Sequence, residues 1–304
     1  MSLFRRGFYL SRSGYKGRDL TFGHVVKRLV IFALIVSALG VGALFGLKND
    51  LIFYPTKGLE MTLAKTGWPQ EVVWLEGLNG AKINSWYAPG PQEEGYTALI
   101  LHGNGGNLND MIGRIMTYHW LQMGVMAIDY QGYGLSTGEP SLEAVVQNAV
   151  AAYDYLVQVK KIPPAKIVVH GYSLGGGVAG QLVRLRPDPH PLVLDSTFND
   201  LTEYARYHAS LLGPLTNLVL RGAFDTRKAL EGYKATVAIF LHSPEDEVVP
   251  YSLGQKLYES YYNGPKAFVN IRGSHYNYIQ NQRLYEKALI DNLKLTFPKK
   301  PTAS

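Results

Sequence analysis

The segment Gly171-Tyr172-Ser173-Leu174-Gly175 stands between an apolar β-type run, Ile167-Val168-Val169-His170, and a helical pattern, Gly176-Gly177-Val178-Ala179-Gly180-Gln181-Leu182-Val183. So short a passage from strand to helix confines the chain to an α/β arrangement. It forces the central serine into strained backbone geometry and projects its hydroxyl outward at the helix N-terminus. The flanking glycines remove side chains that would clash there. A glycine inside a helix costs about 1 kcal/mol relative to alanine, so Gly175, Gly176 and Gly177 imply close backbone packing. The five-residue pattern alone is weak. Its strand–turn–helix setting makes Ser173 a candidate nucleophile.

The rest of the chain agrees with that setting. Candidate strands are Glu71–Leu75, Ile83–Tyr87, Thr97–Leu101, Val125–Asp129, Lys166–His170, Leu192–Leu194, Val237–Leu241 and Ala267–Ile271. Candidate helices lie near 108–122, 141–158, 174–186, 251–262 and 278–296. Continuous apolar runs such as Ala238-Ile239-Phe240-Leu241 suit parallel strands buried on both faces. The expected fold is one α/β domain over residues 50–297, with a mostly parallel eight-stranded sheet, helices on both faces and right-handed crossovers. The connection from Ser196 to Thr236 is long for a loop and carries an apolar centre, Leu211–Leu220, which reads as a small helical cap. Residues 298–304 read as a frayed tail.

A serine nucleophile needs a base, and the base needs an orienting acid. Strand Val237–Leu241 leads into His242-Ser243-Pro244-Glu245-Asp246, and strand Ala267–Ile271 into Arg272-Gly273-Ser274-His275. The order Ser173, Asp246, His275 is the one a nucleophile elbow requires, and all three follow strand C-termini, where such sheets place their sites. Asp195, at the end of another strand, is the geometric rival for the acid, and Glu245 and Glu247 are its neighbours. The oxyanion donors expected are the backbone amides of Leu174 and of Asn104, the latter in His102-Gly103-Asn104-Gly105-Gly106-Asn107, where glycines let the backbone approach substrate. That loop lacks the Gly-Lys-Ser/Thr ending of a P-loop. His102, His170 and His242 end strands and read as hydrogen-bonded packing residues. His24, His119, His190 and His208 show no ligand spacing, so no metal is expected. Asp129–Ser136 reads as a turn-rich loop beside the site whose hydroxyls are candidates for substrate contact.

Residues 29–47, LVIFALIVSALGVGALFGL, carry no charge and a single serine. As a helix they span about 28 Å, close to the roughly 30 Å hydrocarbon core of a bilayer. A transmembrane helix is the expected reading. A cleaved signal peptide, with Val41-Gly42-Ala43 as its cleavage site, is the alternative, although its charged region and apolar region would both be long. Seven basic residues precede the run (Arg5, Arg6, Arg12, Lys16, Arg18, Lys27, Arg28) against one acid, Asp19, while Lys48, Lys57 and Lys65 follow it. The positive-inside rule then places the basic tail, residues 1–28, in the cytoplasm and the large domain across the membrane. The remaining chain holds 23 Lys and Arg against 23 Asp and Glu, so the net charge of +6 resides in the first 28 residues. A formally neutral body does not suit nucleic-acid binding. The chain has no cysteine, which excludes disulfides, cysteine-ligated zinc and a thiol nucleophile.

At the residues just described the chain resembles an α/β-hydrolase over about residues 50–297. The resemblance rests on His-Gly-Asn-Gly-Gly-Asn, on Asp-Tyr-x-Gly-Tyr-Gly-x-Ser, on Gly-Tyr-Ser-Leu-Gly-Gly, on Asp-x-x-Val-Pro and on Gly-Ser-His. With its apolar run followed by Leu51-Ile52-Phe53-Tyr54-Pro55, it is similar to the membrane-anchored group that includes alpha/beta hydrolase domain-containing proteins thirteen and seventeen. The resemblance implies a serine hydrolase without cofactor. The depalmitoylating relatives carry a Cys-rich N-terminus in place of a transmembrane span, so a depalmitoylase is not the expected activity. Cleavage of an ester or thioester, lipid-linked in one version, is the leading expectation. A peptidase or amidase is an alternative, with Asp200 and Glu203 available to bind a free amine. A non-catalytic membrane scaffold is a third, disfavoured because no member of the Ser-Asp-His set is missing.

Overall fold

A computed structural model describes residues 22–60, 68, 70–92, 94–208, 213–220 and 222–295. The chain divides into two units, residues 1–46 and 47–304. In the first, α1 covers Phe22–Gly46, and its stretch Val26–Gly46 has the length and apolar composition to cross a membrane. The helix starts before residue 29 because Lys27 and Arg28 limit an apolar span without interrupting a helix. The other basic residues of the tail lie outside the described residues, as do Lys65 and the C-terminal tail.

The second unit is built on an eight-stranded sheet. Its strands are β1 (Glu71–Glu76), β2 (Lys82–Ala88), β3 (Thr97–Leu101), β4 (Gly124–Ile128), β5 (Ile167–Tyr172), β6 (Leu192–Asp195), β7 (Ala238–His242) and β8 (Lys266–Asn270). Across the sheet they run β1-β2-β4-β3-β5-β6-β7-β8. The sheet is mixed, since β2 is antiparallel to both β1 and β4 while the other pairs are parallel. The cause is local. Asn79 and Gly80 take φ of 56° and 75°, the left-handed pair that closes a tight hairpin between β1 and β2.

From β3 to β7 every strand residue is buried, because the sheet has a core on each face. Leu99, Leu101, Ile128 and Val169 join one core, with α3 (Leu142–Asp154), α4 (Leu174–Leu185) and α7 (Tyr251–Ser260). Ala98, Ile100, Ala127, Val168, Val193 and Ile239 join the other, with α2 (Ile112–Trp120) and α8 (Gln282–Leu293). Alternate side chains thus go to opposite cores, which explains apolar runs without polar alternation. Burying a side chain of this size stabilises by about 1.5–3 kcal/mol.

Between β6 and β7 lie α5 (Leu201–His208), α6 (Gly213–Leu220) and a short helix, Thr226–Ala229. Helices therefore occupy the segment that joins β6 to β7. Leu211 and Leu212 lie outside the described residues. Leu220 is buried and Leu218 is exposed, so the apolar centre is divided between core and surface.

Candidate active site

Strand β5 delivers Ser173 at φ 53° and ψ −120°, and α4 begins at the next residue. Strain of this kind persists only where surroundings impose it. Ser173 N–H donates to the Asp195 carbonyl at 2.9 Å, and its own carbonyl accepts from Gly176 N–H and from the Thr197 hydroxyl. A Cβ on Gly171 would run into the Gly175 carbonyl, and one on Gly175 into the Leu101 carbonyl. Gly176 lies against Thr197 and Gly177 against Phe224. Gly171 and Gly175 therefore serve close backbone approach, whereas Gly176 and Gly177 make room for neighbouring side chains.

The loops after β7 and β8 meet. His275 Nδ1 donates to Asp246 Oδ2 at 2.7 Å, both side chains being almost fully buried. Asp246 Oδ1 accepts from Val248 N–H at 2.9 Å and Val249 N–H at 2.7 Å, which fixes the carboxylate plane. Glu247 accepts from His275 N–H instead of its ring. Tyr172, the residue before Ser173, donates to the His275 carbonyl at 3.1 Å, and its ring stacks on the imidazole with centroids 5.1 Å apart. Nδ1 is thus committed to Asp246 and leaves Nε2 to act as base. No hydrogen bond joins Ser173 Oγ to His275 Nε2.

Asp195 is placed otherwise. It is fully buried, 2.7 Å from Arg114 Nε, and accepts from the Tyr285 hydroxyl at 2.6 Å. Burial, the largest single influence, would raise its pKa, but the Arg114 charge and the His170 and Tyr285 contacts together outweigh it and hold the carboxyl well below the carboxylate range. The Arg114 guanidinium also sits 3.8 Å from the Tyr172 ring centroid. Asp195 therefore belongs to a buried ion pair beneath the site and not to His275. Sequence reading had no signal for Arg114 or for the role of Tyr172.

In the loop after β3, Gly103 packs against Ser173, with an added Cβ falling 3.4 Å from the serine Cβ. This places the residue before Asn104 against the elbow. The hydroxyls of the Asp129–Ser136 loop are all engaged within the protein. Tyr130 donates to the His102 carbonyl, Tyr133 to the Asn104 carbonyl at 2.6 Å, and Ser136 to the Asp129 carbonyl. Asp200 caps its own turn through Thr202 N–H and Glu203 N–H, and Glu203 is paired with Lys256 and Asn199. Neither is a free anion for an amine. Among the described residues no metal-binding cluster of three His, Asp or Glu side chains forms.

The strand-end histidines are held neutral. Burial lowers His102 to about 4, against the opposing bond to the Gly103 carbonyl, and His190 likewise to about 4. Burial also lowers His170 and His242. A histidine with a lowered folded pKa binds fewer protons than the unfolded chain between about pH 4 and 6.5, so stability falls as pH drops through that window. At about 1.4 kcal/mol per pKa unit, His102 and His190 cost on the order of 3 kcal/mol each near pH 4. Asp129 opposes them, because burial raises it to about 6 and protonation there relieves the fold. The histidines outnumber it. The urea midpoint, followed by tryptophan fluorescence, is expected to fall clearly from pH 7 to pH 4.5. A midpoint that rises on acidification would mean Asp129 dominates.

A model of the alpha/beta hydrolase fold family matches residues 97–230. The chain is 31% identical over 239 residues to the alpha/beta hydrolase domain-containing protein WAV2 of Arabidopsis thaliana, covering 72% of this chain and 77% of that protein. It is 30% identical over 211 residues to the lysophosphatidylserine lipase ABHD12 of Danio rerio, covering 62% of this chain and about half, 52%, of the lipase. Among solved structures, an alpha-beta hydrolase from Vibrio vulnificus superposes with a TM-score of 0.63 at 24% identity, over 75% of this chain and 82% of that one.

Proposed function

Because the chain belongs to the α/β-hydrolase family, we propose that it is a serine hydrolase cleaving carboxylic esters or thioesters through an acyl-enzyme. The observation that carries this reading is the 2.7 Å bond from Asp246 to His275 beside the strained Ser173. Ser173 attacks the carbonyl carbon and passes its proton to His275 Nε2. Asp246 keeps the proton of the imidazole on Nδ1 and stabilises the imidazolium. The amides of Leu174 and Asn104 receive the oxyanion. His275 then protonates the leaving alcohol or thiol, and water hydrolyses the acyl-serine by the same steps.

The helix Val26–Gly46 supports membrane anchoring, and the basic residues before it support a cytoplasmic N-terminus with the catalytic unit on the other side. The helix and Leu51–Pro55 together support kinship with the membrane-anchored group named above. The ABHD12 similarity supports a lipid-linked acyl substrate. The internal pairing of Asp200 and Glu203 leaves a peptidase reading without its amine subsite. A panel of p-nitrophenyl esters of increasing acyl length, run beside aminoacyl anilides, tests the assignment. Ester turnover is expected to exceed anilide turnover by at least 100-fold, because Asp200 and Glu203 are both engaged within the protein and do not offer a site for the α-amino group. Anilide cleavage without ester cleavage would overturn it.

A further inference from the structure

We infer that Tyr54–Gly58, the segment beginning eight residues after the end of α1, is a positioning element of the oxyanion site. It pins the glycine-rich loop so that Asn104 N–H stays aimed at the substrate carbonyl. The inference rests on Asn104 being an oxyanion donor, as proposed above.

The loop has little of its own to hold it. Gly103, Gly105 and Gly106 give it no Cβ to pack on either side of Asn104, and glycine loses the most freedom on ordering. External bonds supply the restraint. Tyr54 N–H donates to the Asn104 carbonyl at 2.8 Å and Thr56 N–H to the Gly106 carbonyl at 3.0 Å. Tyr54 and Pro55 thereby pair in parallel with Gly105 and Gly106. Pro55 falls at the register position whose nitrogen faces away from that ladder, so its missing N–H costs the pairing nothing.

The other edge of the segment is held as well. Gly134 N–H donates to the Thr56 carbonyl and Gly58 N–H to the Gly134 carbonyl, both at 2.9 Å. Asn107 Nδ2 donates to the carbonyls of Thr56 and Gly58 at 3.2 and 2.8 Å. The segment is thus the middle member between the two glycine loops that flank the site.

The consequence for Asn104 is geometric. His102 Nε2 accepts from Tyr130 N–H, so its proton resides on Nδ1, which donates to the Gly103 carbonyl at 2.8 Å. In a trans peptide the C=O and N–H point in opposite directions, so holding the Gly103 oxygen orients Asn104 N–H. The following peptide is held by two donors on one oxygen, Tyr54 N–H and the Tyr133 hydroxyl. With both flanking peptides fixed, the donor needs no reorganisation when the oxyanion forms, which is where its value arises.

Tyr54→Pro deletes the first donor and Tyr133→Phe the second, the latter by removing one oxygen atom. Kinetics are read per site titrated with a fluorophosphonate, which removes any unfolded fraction. Each variant is expected to lower kcat on the order of 10- to 100-fold, below the loss for deleting a donor outright, with KM within threefold of wild type. Affinity for an alkyl trifluoromethyl ketone, whose hemiketal oxygen occupies the same hole, should weaken by the same factor as kcat. Unchanged kcat and ketone affinity per titrated site in Tyr54→Pro, with wild type active, would overturn the inference alone, whatever Tyr133→Phe does. A wild type that shows no serine labelling would instead overturn the hydrolase reading beneath it.

Discussion

Ser173→Ala is expected to abolish labelling by an active-site fluorophosphonate and to lower kcat on the order of 10⁶-fold, the scale seen when such a nucleophile is removed. Among the described residues, the hydroxyls nearest it in the chain and in the neighbouring loops are already engaged. The chain has no cysteine. Thr197 Oγ1 is spent on the Ser173 carbonyl, and Ser196 Oγ on Asp195. Ser243 Oγ donates to the Gly273 carbonyl at 2.6 Å. The substitution also separates chemistry from folding. Ser173 Oγ makes no hydrogen bond within the protein, whereas its backbone N–H and carbonyl hold the elbow and survive the change. Stability should therefore change little, and binding of a non-hydrolysable ester analogue should persist. Undiminished labelling in the variant would place the nucleophile elsewhere and remove the mechanism.

How much of this was legible in the sequence depended on the range of the interaction. Strands β3 to β7 are apolar on both faces because each face has its own core, and that leaves a trace in every run. Boundaries moved by one or two residues, as with β7, expected over Val237–Leu241 and found over Ala238–His242. Ser173 was legible because a strained turn with backbone contact on both sides tolerates only glycine at 171 and 175. The choice between Asp246 and Asp195 was not settled by strand ends, since both follow one. It turned on Arg114, 81 positions from Asp195 in the chain, and nothing local to either residue reports that partner. The strap at Tyr54–Gly58 was hidden for a related reason. Its bonds to the Asn104 and Gly134 loops run through backbone atoms, which every residue carries. Tyr133 suggested substrate contact, while its hydroxyl and the Tyr54 amide both bond the Asn104 carbonyl.

Asp246→Asn is expected to lower kcat by roughly 10⁴-fold with little loss of stability, the scale for a wrong tautomer in such a site. The surroundings dictate how the new amide must lie. Oδ1 accepts two backbone N–H groups, from Val248 and Val249, so the amide oxygen of the variant takes that place. The amide NH₂ is then left facing His275 Nδ1, where Asp246 Oδ2 had accepted a proton at 2.7 Å. Two donors cannot share that contact. The imidazole must shift its proton to Nε2, and the nitrogen meant to receive the serine proton no longer can. Asp195→Asn is expected to do the reverse. Arg114 is buried and its charge would lose its partner, a change that destabilises by about 3–5 kcal/mol. Turnover per titrated site should stay within roughly an order of magnitude of wild type, since Asp195 does not touch His275. Urea unfolding and active-site titration on both variants decide the matter. A catalytic collapse in Asp195→Asn, with Asp246→Asn nearly active, would exchange the two assignments and make the buried ion pair the orienting acid.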